Sequence, residues 1–300
     1  MDNDYRGRMH GKIVLVTGAA SGLGKALSEH LVGLGAKVFL VDIDQRVEKQ
    51  AEALNQEQAG SAGWFACDLC QLQLIQAAFD GALAHFGHVD VVVNNAGIAN
   101  SRSLFSQPDH SELEQIVGIN LLAPMEVTRV AVRYFRDAKR TGVVVNTASI
   151  GGLLPLSVME SYGTTKAALI FFTRTCRSLA PQIRVNAVAP YFTSTPLVAT
   201  NRIVSQYPLI SAMGLMHPAK VVRTMLRAMC DESVRGDTLM VSMGCRPAKV
   251  AFYDELALNV TSYIVKGTVR TYASAFSRVF ARVLDSTIGA LRKRAPPAES

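Results

Sequence analysis

Five short runs constrain this chain more than any other feature. Residues 12–17 (KIVLVT), 37–42 (KVFLVD), 89–94 (VDVVVN), 142–147 (GVVVNT) and 184–189 (RVNAVA) are rich in Val, Ile and Leu and show almost no polar alternation. A strand with one face in water alternates apolar and polar residues; a strand covered on both faces does not. Each run therefore predicts a strand buried from both sides. Residues 63–67 and 238–242 read as two further short strands. Between the runs lie stretches of helical period, at about 22–34, 45–58, 72–86, 111–138, 162–179 and 218–231, with an irregular segment at 190–216. Seven strands alternating with six helices predict an α/β fold with a doubly wound, parallel, seven-stranded sheet. No internal repeat or linker interrupts residues 1–245, so one domain is expected there.

Composition enters only as exclusion. With 49% hydrophobic and 18% charged residues the chain is not of the disordered class. The net charge of +7 is uneven. From Lys249 to Ser300 there are eight Lys/Arg and four Asp/Glu, a net +4, so the first 248 residues carry +3. A uniformly basic nucleic-acid binder would not divide its charge this way, and no nucleic-acid partner is expected. The five cysteines (Cys67, Cys70, Cys176, Cys230 and Cys245) are odd in number and scattered, which argues for a reducing compartment. Cys67-x-x-Cys70 has zinc-like spacing but no second pair, and no metal is expected. The polar N-terminus gives no secretory signal. The longest uncharged run, 141–159, contains three glycines and a proline and reads as strand plus loop. An intracellular protein, cytoplasmic or peripherally membrane-associated and without a transmembrane helix, is the expectation.

The turn after the first run is Thr17-Gly18-Ala19-Ala20-Ser21-Gly22-Leu23-Gly24. Glycines at this spacing let backbone N–H groups approach a pyrophosphate at a helix N-terminus, where the dipole favours an anion. Asp42 ends the second run, 18 residues past Gly24, where a carboxylate can accept from an adenosine ribose and repel a 2′-phosphate. Ser21 and Ile43 flank that position and neither is basic, so NAD is favoured over NADP. Asp68 is placed to meet the adenine amine. Asn95, Ala96 and Gly97 follow the fourth strand at the sheet edge where ligands bind.

Tyr162 and Lys166 stand four apart at the start of a predicted helix, one turn apart on one face. A free tyrosine, with a pKa of about 10, is a poor base. A neighbouring ammonium is expected to lower that value, so that the phenol can exchange a proton with an alcohol or ketone. Ser149 precedes the pair by 13 residues and closes the fifth strand. Asn120 lies in an apolar helical stretch, where its amide is expected to hold a water connecting Lys166 to solvent.

In this order these motifs resemble the short-chain dehydrogenase/reductase family over roughly residues 10–245. The resemblance implies a Rossmann-like fold and a catalytic tetrad of Asn120, Ser149, Tyr162 and Lys166. Tyr162 would be the acid/base, Ser149 would position the reacting carbonyl or carbinol, and Lys166 would also hold the nicotinamide ribose. It implies cofactor contacts at Gly18, Ser21, Gly22, Leu23, Gly24, Asp42, Asp68, Asn95, Ala96, Gly97, Tyr162, Lys166, Pro190, Thr193 and Thr195. It also implies a homodimer or homotetramer associating through the helices at 111–138 and 162–179. One departure stands out: the family's Pro-Gly after the sixth strand is Pro190-Tyr191 here.

Residues 197–216 and 153–159 are greasy, with Leu197, Val198, Leu156, Met159 and Met216 among them. They predict an apolar secondary alcohol or ketone as substrate, of steroid, retinoid, prostanoid or acyl type. An NADP-linked reductase of ketones or 3-oxoacyl thioesters is the enzymatic alternative, and a dinucleotide-binding scaffold the non-enzymatic one. Residues 246–300 form an extension. Apolar residues from Val265 to Leu291 recur at steps of three and four and predict a basic amphipathic helix at about 260–291. That helix would pack on the domain or a partner subunit, or lie on an anionic membrane.

Overall fold

The non-alternating runs become the centre of one sheet. In the computed structural model, which describes residues 2–157, 159–200 and 214–250, the sheet order is β3-β2-β1-β4-β5-β6-β7-β8. The strands are β1 (Ile13–Thr17), β2 (Lys37–Asp42), β3 (Ala62–Ala66), β4 (Val91–Asn94), β5 (Gly142–Thr147), β6 (Ile183–Pro190), β7 (Thr238–Val241) and β8 (Ala248–Lys249). All pairings from β1 to β7 are parallel. The seven expected strands are all present. The eighth is a two-residue antiparallel strand at the edge, too short to register as a run in sequence.

Successive side chains along each strand feed two different cores. Val14 and Val16 face one layer and Leu15 the other; Val38 and Leu40 oppose Phe39 and Val41 in the same way. The first layer holds Leu27 and Leu31 of α2 (Gly22–Gly33). Val47, Ala51 and Leu54 of α3 (Arg46–Glu57) also belong to it. The second holds Ile75, Phe79 and Ala82 of α4 (Leu72–Phe86). This two-sided burial is why the strands lack polar alternation.

Two helical features differ from expectation. The helix expected at 111–138 is three segments: α5 (Ser111–Val117), a π-helical turn at Gly118–Leu122, and α6 (Ala123–Asp137). Intrinsic propensity does not distinguish a π turn from an α turn, so periodicity reads straight through it. The polar N-terminus forms α1 (Asp2–Met9). Its Arg6 donates to the Gly33 carbonyl at 3.0 Å, at the end of α2.

Among the described residues, three helices follow in the C-terminal half: α7 (Glu160–Thr175), α8 (Pro196–Thr200) and α9 (Pro218–Cys230). Val221, Met225 and Leu226 of α9 join the first core layer. Arg8 of α1 caps α9 through the Cys230 carbonyl at 2.7 Å. Met1–Lys249 is one compact unit and Val250–Ser300 a second. The greasy segment at 201–213 and the expected amphipathic helix lie outside the described residues. Among the described residues no helix is long and apolar enough to cross a membrane.

Candidate active site

Sheet order reverses between β1 and β4, and the loops leaving these strands are stitched together. Thr17 Oγ1 accepts from the backbone N–H groups of Asn95 and Ala96 at 3.0 and 3.1 Å. Asn95 Nδ2 donates to the carbonyls of Thr17 and Gly18, both at 3.0 Å. The Asn95 amide is thus spent on shaping the glycine turn. That turn admits no side chains at its tight points. A Cβ on Gly18, where φ is +64°, would lie 2.7 Å from the Ala96 Cα, and one on Gly24 would lie 2.1 Å from the Gly18 carbonyl oxygen. Gly22, with φ +53°, opens α2. Ser21 makes no capping hydrogen bond there, and the first turn carries no carboxylate. These are the properties of a cradle for a pyrophosphate.

A cavity of about 350 Å³ lies over this edge of the sheet, with Ser21, Leu23, Asp42 and Asp68 on its wall. Asp42 Oδ2 accepts from Ala20 N at 2.8 Å, so the carboxylate also holds the glycine turn. Its Oδ1 accepts from Asp44 N at 2.9 Å. Asp68 accepts from Cys70 N at 2.9 Å and shapes its own turn as well. Burial, with the neighbouring Asp68 charge, pushes the Cys67 thiol up to about 11, so it stays protonated. Sequence spacing missed Arg46. Its guanidinium is paired with Asp44 at 2.6 Å, and the Asp42 charge acts on it only as a lesser influence.

The same cavity continues to Ser149, Tyr162, Lys166, Pro190, Thr193 and Thr195. Ser149 follows β5, and its Oγ accepts from Gly151 N at 3.1 Å while hydrogen-bonding the Tyr162 phenol. Lys166 is 3% exposed and donates from Nζ to the Thr147 carbonyl at 2.8 Å. Its Nζ is 5.6 Å from the centroid of the Tyr162 ring. Asn120, fully buried in the π turn, clamps the loop after β4. Its Oδ1 accepts from Ile98 N at 2.9 Å and its Nδ2 donates to the Ile98 carbonyl at 2.8 Å. The Asn120 Nδ2 also donates to Thr165 Oγ1 at 3.3 Å, so only Oδ1 has capacity left for a water. Gly97 sits tightly beneath, where a Cβ would be 3.0 Å from Asn120 Oδ1 and 3.3 Å from Lys166 Nζ.

The expected depression of the Tyr162 phenol is reversed in the chain itself. Burial pushes the phenol up, and the Ser149 hydrogen bond does not offset it. Burial also lowers the Lys166 ammonium to about 8. Both groups lose water in one pocket, and desolvation disfavours charge on each.

Tyr191 has no positive φ, so the family's usual glycine is replaced without strain. Tyr191 packs against the first core layer, while Phe192 packs with Leu156, Met159 and Ala99 around Tyr162. Phe192 was not legible as a site residue, since one aromatic in a loop carries no periodic signal. Met216, expected in the pocket wall, is instead 3% exposed and packed in the first core layer. Leu197 and Val198 do line the cavity.

Residues 12–204 match the family model described as short chain dehydrogenase. The chain is 28% identical over 253 residues to mouse (Mus musculus) 15-hydroxyprostaglandin dehydrogenase (NAD(+)), covering 78% of this chain and 91% of that one. It is 32% identical over 251 residues to the 3-oxoacyl-(acyl-carrier-protein) reductase FabG of Thermotoga maritima, covering 79% and 98%. Among solved structures it resembles a 3-ketoacyl-(acyl-carrier-protein) reductase from Brucella melitensis complexed with NADH. There the TM-score is 0.71 and the identity 30%, with 79% of this chain and 98% of that one covered.

Proposed function

The chain belongs to the short chain dehydrogenase family, and we propose that it is an NAD-dependent oxidoreductase interconverting a secondary alcohol and a ketone. One observation carries the reading: a single cavity is lined by the glycine turn and Asp42 as well as by Ser149, Tyr162 and Lys166. The names of the relatives, one specific to NAD(+) and one seen with NADH, support the cofactor. Gly18, Gly22 and Gly24 would hold the pyrophosphate, Asp42 the adenosine ribose, and Thr193 and Thr195 the carboxamide end. When bound, the dinucleotide supplies the hydride acceptor or donor.

The chain supplies the proton chemistry. In oxidation Tyr162 Oη takes the carbinol proton as the C–H bond breaks; in reduction it returns that proton to the carbonyl oxygen. Ser149 Oγ orients the reacting oxygen. Lys166 compensates negative charge on the phenol. Asn120 fixes the backbone of Ile98 under the pocket. Phe192, Leu156, Met159 and Ala99 supply an apolar collar, which supports an apolar substrate.

A panel of secondary alcohols and ketones with NAD and NADP, followed by reduced-nicotinamide absorbance, tests this reading. Lipophilic alcohols with NAD are the expected substrates. Preference for small polyols would overturn the substrate class, and unchanged turnover in Tyr162→Phe would overturn the mechanism. The resemblance to two 3-oxoacyl reductases favours a second reading, reduction of 3-oxo thioesters, which the same panel separates.

The exposed apolar residues Leu122, Met125 and Phe171 lie on the two long helical segments and support a homodimer or homotetramer. Light scattering of Phe171→Asp is expected to report a smaller species. The organisation we propose is a catalytic domain at 1–245 and a basic helical extension at 246–300 that binds an anionic membrane or a partner subunit. Liposome flotation with and without residues 256–300 tests the membrane contact.

A further inference from the structure

The helix carrying Tyr162 starts without a cap of its own. Its N-cap residue is Met159, which makes no side-chain capping hydrogen bond. The first-turn N–H groups of a helix have no partner within it, and a buried one left bare is costly. Here the acceptor arrives from 62 residues away. Asn100, only 2% exposed, accepts from Tyr162 N through Oδ1 at 2.9 Å. A second tie lies beside it. Glu160 of the same turn accepts from Ser103 Oγ at 2.8 Å and from Leu104 N at 3.3 Å.

Residues 97–104 thus form a strap fixed at two ends. Asn120 clamps it at Ile98 through both main-chain groups, and the first turn of α7 holds it at 100–104. Along the strap Gly97, Ile98 and Ala99 line the cavity. The strap joins the β4 edge, where the cofactor motif ends, to the turn that aims the phenol.

We propose that Asn100 is a positioning residue for Tyr162, capping from a distant loop the helix turn that presents the phenol to the substrate. This rests on the reading of Tyr162 as acid/base. Asn100 touches no reacting atom; it sets the height and direction of the turn that does. A reacting group displaced by about 1 Å loses roughly 100-fold in rate, so a lost cap is expected to act on kcat.

Two variants of the full chain separate acceptor from bulk. Asn100→Leu keeps the volume and removes the acceptor; Asn100→Asp keeps the acceptor. Asn100→Leu is expected to lower kcat by roughly 10- to 100-fold, with NAD affinity unchanged within about twofold. Asn100→Asp is expected to restore most of kcat. Hydrogen exchange of the peptide 159–166 gives a readout independent of turnover: faster in Asn100→Leu, near wild type in Asn100→Asp, with peptides from α2 unchanged. Unaltered exchange and kcat in Asn100→Leu would overturn the proposal. So would a parallel loss of kcat and NAD affinity, which marks a general structural role, or an Asn100→Asp variant as impaired as Asn100→Leu. If Asn100→Leu does not fold, Asn100→Ala removes the same acceptor without a branched apolar side chain in its place. It should then speed exchange of the same peptide, and no change there would equally overturn the proposal. A wild-type chain inactive on every secondary alcohol would refute the proposed function, and the exchange experiment would still decide the role of Asn100.

Discussion

Lys166 donates from Nζ to the Thr147 carbonyl at 2.8 Å, which anchors the ammonium one turn from Tyr162 to the end of β5. Burial lowers this ammonium to about 8 and pushes the Tyr162 phenol up. Oxidation needs the pair with one proton removed, as phenolate and ammonium. The first proton leaves the pair at about 8, whichever group formally loses it. We predict that kcat/KM for alcohol oxidation rises tenfold per pH unit up to about 8 and then levels. Ketone reduction needs both protons, so its kcat/KM should be flat below that value and fall above it. In Lys166→Met the oxidation limb should move to more alkaline pH. Oxidation independent of pH across the neutral range would sink this account.

Asp42 serves two masters, the glycine turn through Ala20 N and the expected ribose contact. Asp42→Ala should weaken NAD binding by about 1–3 kcal/mol, the cost of losing hydrogen bonds to a charged acceptor. It should also raise the relative use of NADP, because the carboxylate that repels a 2′-phosphate is gone while Arg46 remains close by. The ratio of kcat/KM for the two cofactors measures this. An unchanged ratio would remove Asp42 from the specificity assignment.

Legibility tracked the sequence distance over which each feature is built. The glycine turn is local: positions 18 and 24 must lack Cβ atoms to let two backbones meet, Gly22 takes a positive φ, and that spacing is readable directly. The strands were readable because burial on both faces removes polar alternation. Helical spacing sets Tyr162 and Lys166 on one face, but it is their occurrence in order after the glycine turn, Asn120 and Ser149 that marks them as a site. The π turn under Asn120 was not readable, since the residues at Gly118–Leu122 suit an α-helix equally well. The Asn100 cap and the Phe192 wall were not readable either, because each depends on segments brought together only by the sheet. The direction of the Tyr162 shift was misread because sequence shows the cation beside the phenol and not the burial that both share.

Asp90 ties three strands together at the opposite edge of the sheet. Its carboxylate accepts from Ile13 N at 3.0 Å and faces Lys12, His88 and Arg140 at 3.4, 3.2 and 3.2 Å. Burial raises its pKa, but the Ile13 hydrogen bond, together with Lys12, Arg140 and a protonated His88, outweighs burial and holds it below the usual value. A depressed folded pKa gives stability that is present above the unfolded value and lost as pH falls through the folded one. Asp90→Asn should therefore cost about 1–2 kcal/mol at neutral pH, since the partners are partly exposed. The gap to wild type should close below pH about 4. Urea midpoints at both pH values check this, and a gap independent of pH would show that charge is not the cause.

Arg184 makes the final test, since it is a buried cation without a hydrogen-bonded carboxylate partner among the described residues. From β6 its guanidinium donates to the carbonyls of Ala228, Met229, Asp231 and Val234, closing the C-terminal end of α9. Asn186, two residues along the same face, donates to the Ala228 carbonyl at 2.9 Å. Burial lowers the Arg184 pKa, yet the carbonyl dipoles at a helix C-terminus favour a cation there. Arg184→Met fills a similar volume but takes this donor from the Met229 and Val234 carbonyls, and leaves those of Ala228 and Asp231 to Asn186 Nδ2 and Val234 N alone. It should cost about 2–4 kcal/mol, each bare acceptor being partly rescued by water. A urea midpoint that falls at constant m value would measure the cost. Because the cluster lies at the sheet edge opposite Tyr162, kcat per folded molecule should stay unchanged. A fall in kcat at full folding would show instead that α9 transmits its position to the active site.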